Sequence, residues 1–262
     1  MATSKALKTT PTTATTSVAV KAKANTAVVS IKEQIAAQVA AMGDRIAPPT
    51  GSKIKLSPGS MTLPDGTRTT DPLDVVIVDF VAKNSFYPGA FDKDNIVPPV
   101  CFAIGTNPAK LTPSPNSPEP QASSCAECPM NAFGSAPNGK GKACKNERLM
   151  AILPPDAEAD DPLWTISAGP TSIKGFDAYV GNVMRMFQTV PAGVVTAISM
   201  APGDYAATLY GDPRPNENVG EHLARQAEAQ DLLAAEPDLT GYVPASAKPA
   251  RKAAPQRPPV RR

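Results

Sequence analysis

The chain has 262 residues, enough for one sizeable domain or two small ones, and 42% of them are hydrophobic, slightly below the usual share. No apolar run approaches the roughly 18 residues of a transmembrane helix, and no apolar segment follows Lys5 and Lys8 as it would in a secretory signal. The single histidine, His222, excludes histidine-rich metal sites and disfavours a Ser-His-Asp triad. We therefore expect a cytoplasmic protein without membrane association.

Charge is separated along the chain, although the net charge is only +2. Residues 1–30 and 248–262 carry +10 between them and no acid, whereas residues 31–247 hold 16 basic and 24 acidic residues, a net −8. Basic arms on an acidic body can hold a polyanion loosely, and they can also simply keep a protein soluble. The charge pattern leaves both interpretations open.

The first half of the chain begins with a segment that is too polar to fold. Residues 1–28 are mostly Thr, Ala, Lys and Ser, so we predict a disordered basic arm. From Ile31 to Ile46 apolar residues recur at helical spacing and predict a helix. Residues 74–81 are apolar and β-branched, which predicts a buried strand, while prolines place the run 96–104 at a sheet edge.

The second half predicts further strands with one helix between them. Apolar runs predict strands at 148–153, 163–168, 193–200 and 205–210, and a helix begins after the capping signal at 170–172. Residues 211–240 contain an acid-rich helix, and 241–262 form a second disordered basic tail. Strands, one helix and two more strands follow the order of an OB-type barrel. We predict a mainly β (α+β) fold, with an OB-like domain over 29–210 that contains one inserted helix.

Four cysteines lie within 44 consecutive residues and predict a metal-binding insertion at 101–148. They are Cys101, Cys125, Cys128 and Cys144, and the middle pair forms a CxxC knuckle. Four thiolates can close a tetrahedral Zn²⁺ site, and the same set can hold an iron–sulfur cluster. Buried free thiols and a redox-active CxxC are the alternatives. Cys101 is the weakest candidate ligand because it lies in an apolar strand outside the knuckle.

The end of this insertion is basic and suited to phosphate contact. Four cations and a single acid, Glu147, occur between Asn138 and Arg148. The candidate phosphate contacts are Lys140, Lys142, Lys145 and Arg148. Phe133 and Trp164 flank the region and are candidates for stacking on bases, with burial in the core as the alternative for both.

Part of the chain resembles a family of tailed-phage single-stranded DNA-binding proteins. The resemblance covers about 40% of the chain. It is carried by PPVCFAIG at 98–105, CAECPMNAFGS at 125–135, GKGKACKNERLM at 139–150 and TSIKGFDAYV at 171–180. The resemblance implies a zinc-ribbon element inserted in an OB-like barrel, acting on replication or recombination intermediates in the host cytoplasm. The basic C-terminus departs from the acidic, partner-recruiting tail of many single-strand binders.

These observations predict a non-catalytic protein that binds single-stranded DNA, with other replication or recombination proteins as further partners. The alternative is a structural or interaction protein, either a virion or a regulatory component, in which the metal only staples a loop-rich domain. The acidic body favours this alternative, since a negative field opposes polyanion binding. An enzyme is disfavoured because acids such as Asp74 and Asp79 form no D-x-E…E-x-K cluster.

Overall fold

The computed structural model describes residues 53–89 and 96–242, together with the separate positions Ile31, Gln34 and Pro244. Ile31 and Gln34 are helical, but the rest of the helix predicted over Ile31–Ile46 lies outside the described residues, as do residues 1–28 and most of the C-terminal tail. None of the helices in the described ranges has the length and apolar character needed to cross a membrane.

The described chain is mainly β, with two antiparallel sheets and a few helices. A small sheet contains β1 (Lys55–Ser57), β2 (Ser60–Thr62) and β3 (Arg68–Thr69). The large sheet contains β4 (Leu73–Phe86), β5 (Cys101–Gly105), β6 (Cys144–Leu153), β7 (Trp164–Ala168), β8 (Val194–Met200) and β9 (Thr208–Pro215). The helices are α1 (Ile173–Met186), α2 (Val219–Ala224) and α3 (Gln226–Ala234).

The long strand β4 organises the large sheet. It pairs with β6 along one side, and β7 then forms the outer edge beyond β6. On its other side, β4 pairs with β8 near its beginning, at Leu73–Val76, and with β5 near its end, at Ala82–Phe86. The β8–β9 hairpin and the cysteine-rich segment are therefore held at opposite ends of the same strand.

Apolar residues on both faces of the large sheet form the core. One face packs Ile77, Met150 and Ile152 against Phe176 of α1 and Met61 of the small sheet. The other face packs a second cluster against α3: Val78, Leu149, Ala151, Leu153, Ala229 and Leu233. Burial on both faces explains the apolar runs at 75–78 in β4 and at 149–153 in β6.

The structure does not confirm the OB-like barrel. Within residues 53–89 and 96–242 the strands form two open sheets and no closed barrel. The order of strands along the chain predicts which elements exist, but closure depends on the pairing of first and last strands, and here β7 and β9 are at opposite edges. The acid-rich region at 211–240 begins with the end of β9 and continues as two helices, α2 and α3.

Candidate metal centre and adjoining groove

Two of the four cysteines share a row across the sheet. Cys101 at the start of β5 and Cys144 at the start of β6 are both paired with Phe86 of β4. Directly paired residues point to the same face of a sheet, so the two cysteines share a face and are separated by two strand spacings, about 9–10 Å. The strand pairing thus brings together residues that are far apart in the sequence.

The other two cysteines come from the loop that covers this face. We call residues 125–143 the knuckle loop. The Cys125 backbone N–H donates to the Leu111 carbonyl at 2.9 Å, and Asn84 of β4 lines the same cavity as Cys125. Cys128 begins a single 3-10 turn, in which the Asn131 N–H donates to the Cys128 carbonyl at 2.9 Å. This turn follows from Pro129, whose fixed φ suits the first helical position.

All four cysteines are buried and line one cavity of about 10 Å³, which is close to the smallest space that holds a water molecule. Among the described residues, however, no three Cys, His, Asp or Glu side chains lie in an arrangement that could hold a metal ion. The sulfurs share a cavity without meeting at one point. A metal ion bound by all four would require the side chains to move closer together.

The cavity disfavours negative charge on the cysteines. The pKa of Cys144 is raised to about 12, chiefly by burial and then by the neighbouring cysteines, and only the Lys142 ammonium acts in the other direction. Burial likewise raises the pKa of Cys125, an effect that the neighbouring Asn84 side chain opposes. A divalent cation is the chemistry that would stabilise thiolates in such a place, and soft sulfur ligands suit zinc or iron–sulfur clusters.

The knuckle loop has a defined structure that leaves Phe133 in solvent. Gly134 and Gly141 both adopt positive φ, and the Gly134 N–H donates to the Gly141 carbonyl at 2.6 Å. Ser135 Oγ accepts from the Ala143 N–H at 2.9 Å and so closes the base of the loop. At its tip, the Phe133 side chain is 85% exposed. The ordered loop thus holds an aromatic ring where a ligand can reach it.

Beside the cavity the loop forms one wall of a large open groove, the knuckle groove. Its volume of about 1340 Å³ exceeds the roughly 300–1,000 Å³ of most small-molecule sites. Burial raises the pKa of Tyr87, which lies in the groove, while the nearby Lys145 ammonium opposes that shift. The knuckle groove is defined by Tyr87, Ile96, Met130, Lys142, Lys145 and Asp238.

The four candidate phosphate contacts differ in their surroundings. Lys140 and Lys142 are exposed, and neither forms an ion pair with any described residue, although Lys142 Nζ donates to Asn131 Oδ1 at 3.2 Å. Lys145 is 2.7 Å from Glu147. Arg148 makes a bidentate contact with Asp177 of α1, both distances being 2.9 Å. Lys140 and Lys142 are therefore the most available cations of the set.

The two aromatic candidates for base stacking differ clearly in exposure. Phe133 is exposed, whereas Trp164 is half-buried and packs against the main core beneath β7. Alternation along β7 explains this, because Trp164, Ile166 and Ala168 share the inward face. Sequence reasoning missed Tyr87 and Asn84, which acquire their roles only through the pairing of β4 with β5 and β6.

Comparison with known proteins yields no match to this chain from any family model, curated protein or solved structure. The resemblance to the phage family therefore stays a prediction.

Proposed function

We propose that the protein is a non-catalytic single-stranded DNA-binding protein that holds its strand in the knuckle groove. The observation that carries the proposal is the position of Phe133, which is 85% exposed on a loop that also bears Lys140 and Lys142. An exposed aromatic ring and cations on one loop suit an unpaired strand, whose bases can stack while phosphates meet ammonium groups. A rigid duplex offers no such unstacked base.

The size and lining of the groove support a polymer over a small ligand. The groove adds Tyr87 as a second aromatic surface and Lys145 as a further cation. Base–aromatic stacking contributes about 1–3 kcal/mol per base regardless of base identity. We therefore expect little sequence preference. A role in phage replication or recombination, and an OB-like relationship of the sheet, are supported by the resemblance and the order of elements alone.

We further propose that Zn²⁺ bound by Cys101, Cys125, Cys128 and Cys144 fixes the knuckle loop, with an iron–sulfur cluster as the alternative. The shared cavity and the burial of all four thiols support this set, including Cys101. When bound, zinc would supply a structural cross-link between β5, β6 and the loop. Asn131 would hold Cys125 in place through its carbonyl, to which Asn131 Nδ2 donates at 2.7 Å.

A salt-dependent titration tests the DNA-binding proposal. Fluorescence anisotropy would compare a labelled single-stranded oligonucleotide with a duplex of equal length, using Lys140→Glu/Lys142→Glu and the control Lys55→Glu/Lys174→Glu. All four lysines are exposed, and the control pair lies outside the groove lining. The loop variant should lose affinity for the single strand, with its salt slope reduced by about 1.4. Equal affinities for the two variants, or a preference for the duplex, would contradict the proposal.

The second candidate function is that of a structural or interaction protein. The net charge of −8 over residues 31–247 favours it, as do exposed apolar side chains in and after the C-terminal turn of α1. These side chains are Met184, Met186, Phe187 and Val190, of which Met186 is 77% exposed. This candidate predicts that the titration shows no binding attributable to the loop lysines.

A further inference from the structure

The segment that follows α3 is fastened at both ends to the loop that follows β5. We call residues 235–242 the C-terminal strap. Near its beginning, the Glu236 carboxylate accepts a hydrogen bond from Asn116 Nδ2 at 2.7 Å. At its other end, the Tyr242 hydroxyl donates to Glu119 Oε1 at 2.6 Å. The residues between these two contacts are therefore held close to that loop.

The loop that follows β5 is itself fixed to that strand. The Ser114 N–H donates to the Phe102 carbonyl at 2.8 Å, and the Glu119 N–H donates to the Val100 carbonyl, just before β5, at 2.7 Å. At this end of the sheet, β5 and β6 pair with opposite sides of β4. The strap is therefore held on the β5 side of β4.

The lysines of the knuckle groove come from the other side, that of β6. Lys145 is in β6, where it pairs with Ser85 of β4, and Lys142 comes two residues before that strand. Asp238 of the strap belongs to the same groove lining as these two lysines. It forms no ion pair with any of the described residues. The groove therefore has cations where it borders β6 and a carboxylate where it borders the strap.

The Asp238 carboxylate is held in place by a turn of the strap. Its Oδ1 accepts from the Thr240 N–H at 2.8 Å and from the Thr240 hydroxyl at 2.6 Å. These two hydrogen bonds lower the pKa of Asp238, so the carboxylate stays ionised at neutral pH. The strap side of the groove thus carries a permanent negative charge.

We propose that Asp238, positioned by the two ends of the strap, excludes duplex DNA from the groove by repelling its second phosphate backbone. The inference rests on the proposed function and names the residue that selects an unpaired strand. A single strand can place its phosphates at Lys142 and Lys145 and turn its bases toward the strap. A duplex carries two backbones, with twice the phosphate charge per unit length, and would bring phosphates to the strap side as well. Like charges brought together discriminate against the wrong ligand.

The substitution Asp238→Asn tests the charge and preserves the turn, because an asparagine Oδ1 can still accept both hydrogen bonds from Thr240. The control is Asp204→Asn, which removes an exposed carboxylate in the β8–β9 turn, near the opposite end of β4. Fluorescence anisotropy at about 50 mM salt would measure the affinity of each variant for a labelled single-stranded oligonucleotide and for a duplex of equal length.

The expected result is a change in selectivity. Asp238→Asn should raise duplex affinity about fivefold and single-strand affinity less than about twofold, whereas the control should change either affinity by less than about twofold. If Asp238→Asn changes both affinities by the same factor, or if Asp204→Asn raises duplex affinity as much, the proposal is wrong.

The substitution Tyr242→Phe tests whether the strap positions the carboxylate. It removes the hydrogen bond to Glu119 and leaves every charge of the strap unchanged. Amide hydrogen exchange in residues 235–242 should become faster, and duplex affinity should rise about twofold to threefold because Asp238 is held less firmly. If duplex affinity stays as it is in the unaltered protein, the strap does not position Asp238 and this part of the proposal is wrong.

Failure of the Asp238 proposal and failure of the groove proposal give different results. If only the Asp238 proposal fails, Lys140→Glu/Lys142→Glu still weakens single-strand binding, while Asp238→Asn leaves the ratio of single-strand to duplex affinity unchanged. If the groove proposal fails, the loop variant binds single strands as the unaltered protein does.

Discussion

Phe133 and Trp164 show how strongly the surroundings of a side chain determine whether it is exposed to a ligand. Both are aromatic and both flank the basic insertion, yet Phe133 is 85% exposed whereas Trp164 is half-buried. Trp164 is paired with Ile152, eight residues along β6 from Cys144, which places it about 26 Å from the cysteine end of that strand. A base that stacks in the knuckle groove is therefore too far from Trp164 to contact it as well.

Moving the single tryptophan from β7 to the knuckle loop makes it possible to measure which of the two positions stacks on bases. In the unaltered protein, Trp164 fluorescence should change little when single-stranded DNA binds. In the double variant Trp164→Phe/Phe133→Trp, the indole replaces the exposed loop aromatic, and stacking on bases should quench it strongly. A fluorescence titration of both proteins with the same oligonucleotide checks this. Strong quenching in the unaltered protein and none in the variant would show that bases stack at β7 and not on the loop.

The shared cavity leads to a prediction for Cys101 that differs from the expectation based on sequence. Because Cys101 lines the same cavity as the other three, Cys101→Ser should reduce zinc content as much as Cys128→Ser does, from about one zinc per chain to nearly none. Elemental analysis of purified protein measures this. Ser85→Ala is the control, since Ser85 is a buried residue of β4 next to Phe86. Zinc retained in Cys101→Ser would remove Cys101 from the ligand set, and iron in place of zinc would select the cluster.

At the scale of elements, a buried histidine fastens α2 to the connection that follows β9. His222 is 1% exposed, and Asn216 Nδ2 donates to its Nδ1 at 2.9 Å and to the Ala192 carbonyl at 2.8 Å. Asn216 Oδ1 accepts from the Asn218 N–H, which fixes the orientation of the amide. Nδ1 must therefore accept, so the neutral imidazole carries its proton on Nε2. Protonation of Nδ1 would set two donors against each other.

This arrangement makes folding stability depend on pH. Burial lowers the pKa of His222 below 6.5, against the opposing effects of the Pro154 carbonyl and Glu221, while the Arg225 charge adds to the lowering. The unfolded chain then binds the proton more readily than the folded chain does. The stabilisation is complete above about pH 6.5 and is lost as pH falls toward the lowered pKa.

Urea unfolding at about pH 7.5 and about pH 5.5 tests the histidine. The unaltered protein should lose more stability between these values than His222→Gln does, because glutamine can still meet Asn216 but does not titrate. Equal losses in the two proteins would assign the pH dependence to other groups.

Metal removal should act first on the knuckle loop and only later on the sheet. The loop depends on Cys125 and Cys128 together with a few local hydrogen bonds, whereas the sheet has an apolar core on both faces. Chelation should therefore raise amide hydrogen exchange in residues 125–143 before it changes exchange in β4 or β6. Hydrogen exchange measured with and without chelator checks this. Simultaneous opening of loop and strands would show that the metal supports the whole domain.

At the scale of the whole molecule, apolar periodicity predicts the principal elements but not how they pair. Strands near 74–81, 148–153 and 193–200 and the helix after Ser172 are all visible in the sequence because each buries a regular apolar face. Element order predicted a closed barrel, but the described strands form two open sheets. Pairing is set by contacts between distant residues, such as Phe86 with both Cys101 and Cys144.

In the candidate site, too, some residues are identifiable from the local sequence, whereas others come together only through the fold. The four cysteines and the loop lysines are identifiable from spacing and composition. The bidentate contact of Arg148 with Asp177 and the joint lining of the knuckle groove by Asp238 and Lys142 bring together segments that are far apart in sequence. No local pattern predicts them, because they depend on how α1 and α3 pack on opposite faces of the sheet.

The separation of charge leads to the last prediction, which concerns the N-terminal arm. Residues 1–28 carry four lysines and no acid, and the sequence predicts no folded element that would hold these charges at fixed positions. They should add only diffuse attraction, which salt screens within about 8 Å at physiological ionic strength. Deleting residues 1–28 should therefore weaken single-strand binding several-fold at about 50 mM salt and hardly at all at about 200 mM.

The variant Lys140→Glu/Lys142→Glu is the comparison for this deletion. Its charges lie on an ordered loop beside the groove, so it should weaken binding at every salt concentration, with thermal stability nearly unchanged because both side chains are exposed. Anisotropy titrations at several salt concentrations, together with thermal unfolding of both variants, measure these effects. The structural alternative requires the reverse: if the arm deletion abolishes binding at all salt concentrations while the loop variant binds normally, phosphates are held by the arm and the groove is not the binding site.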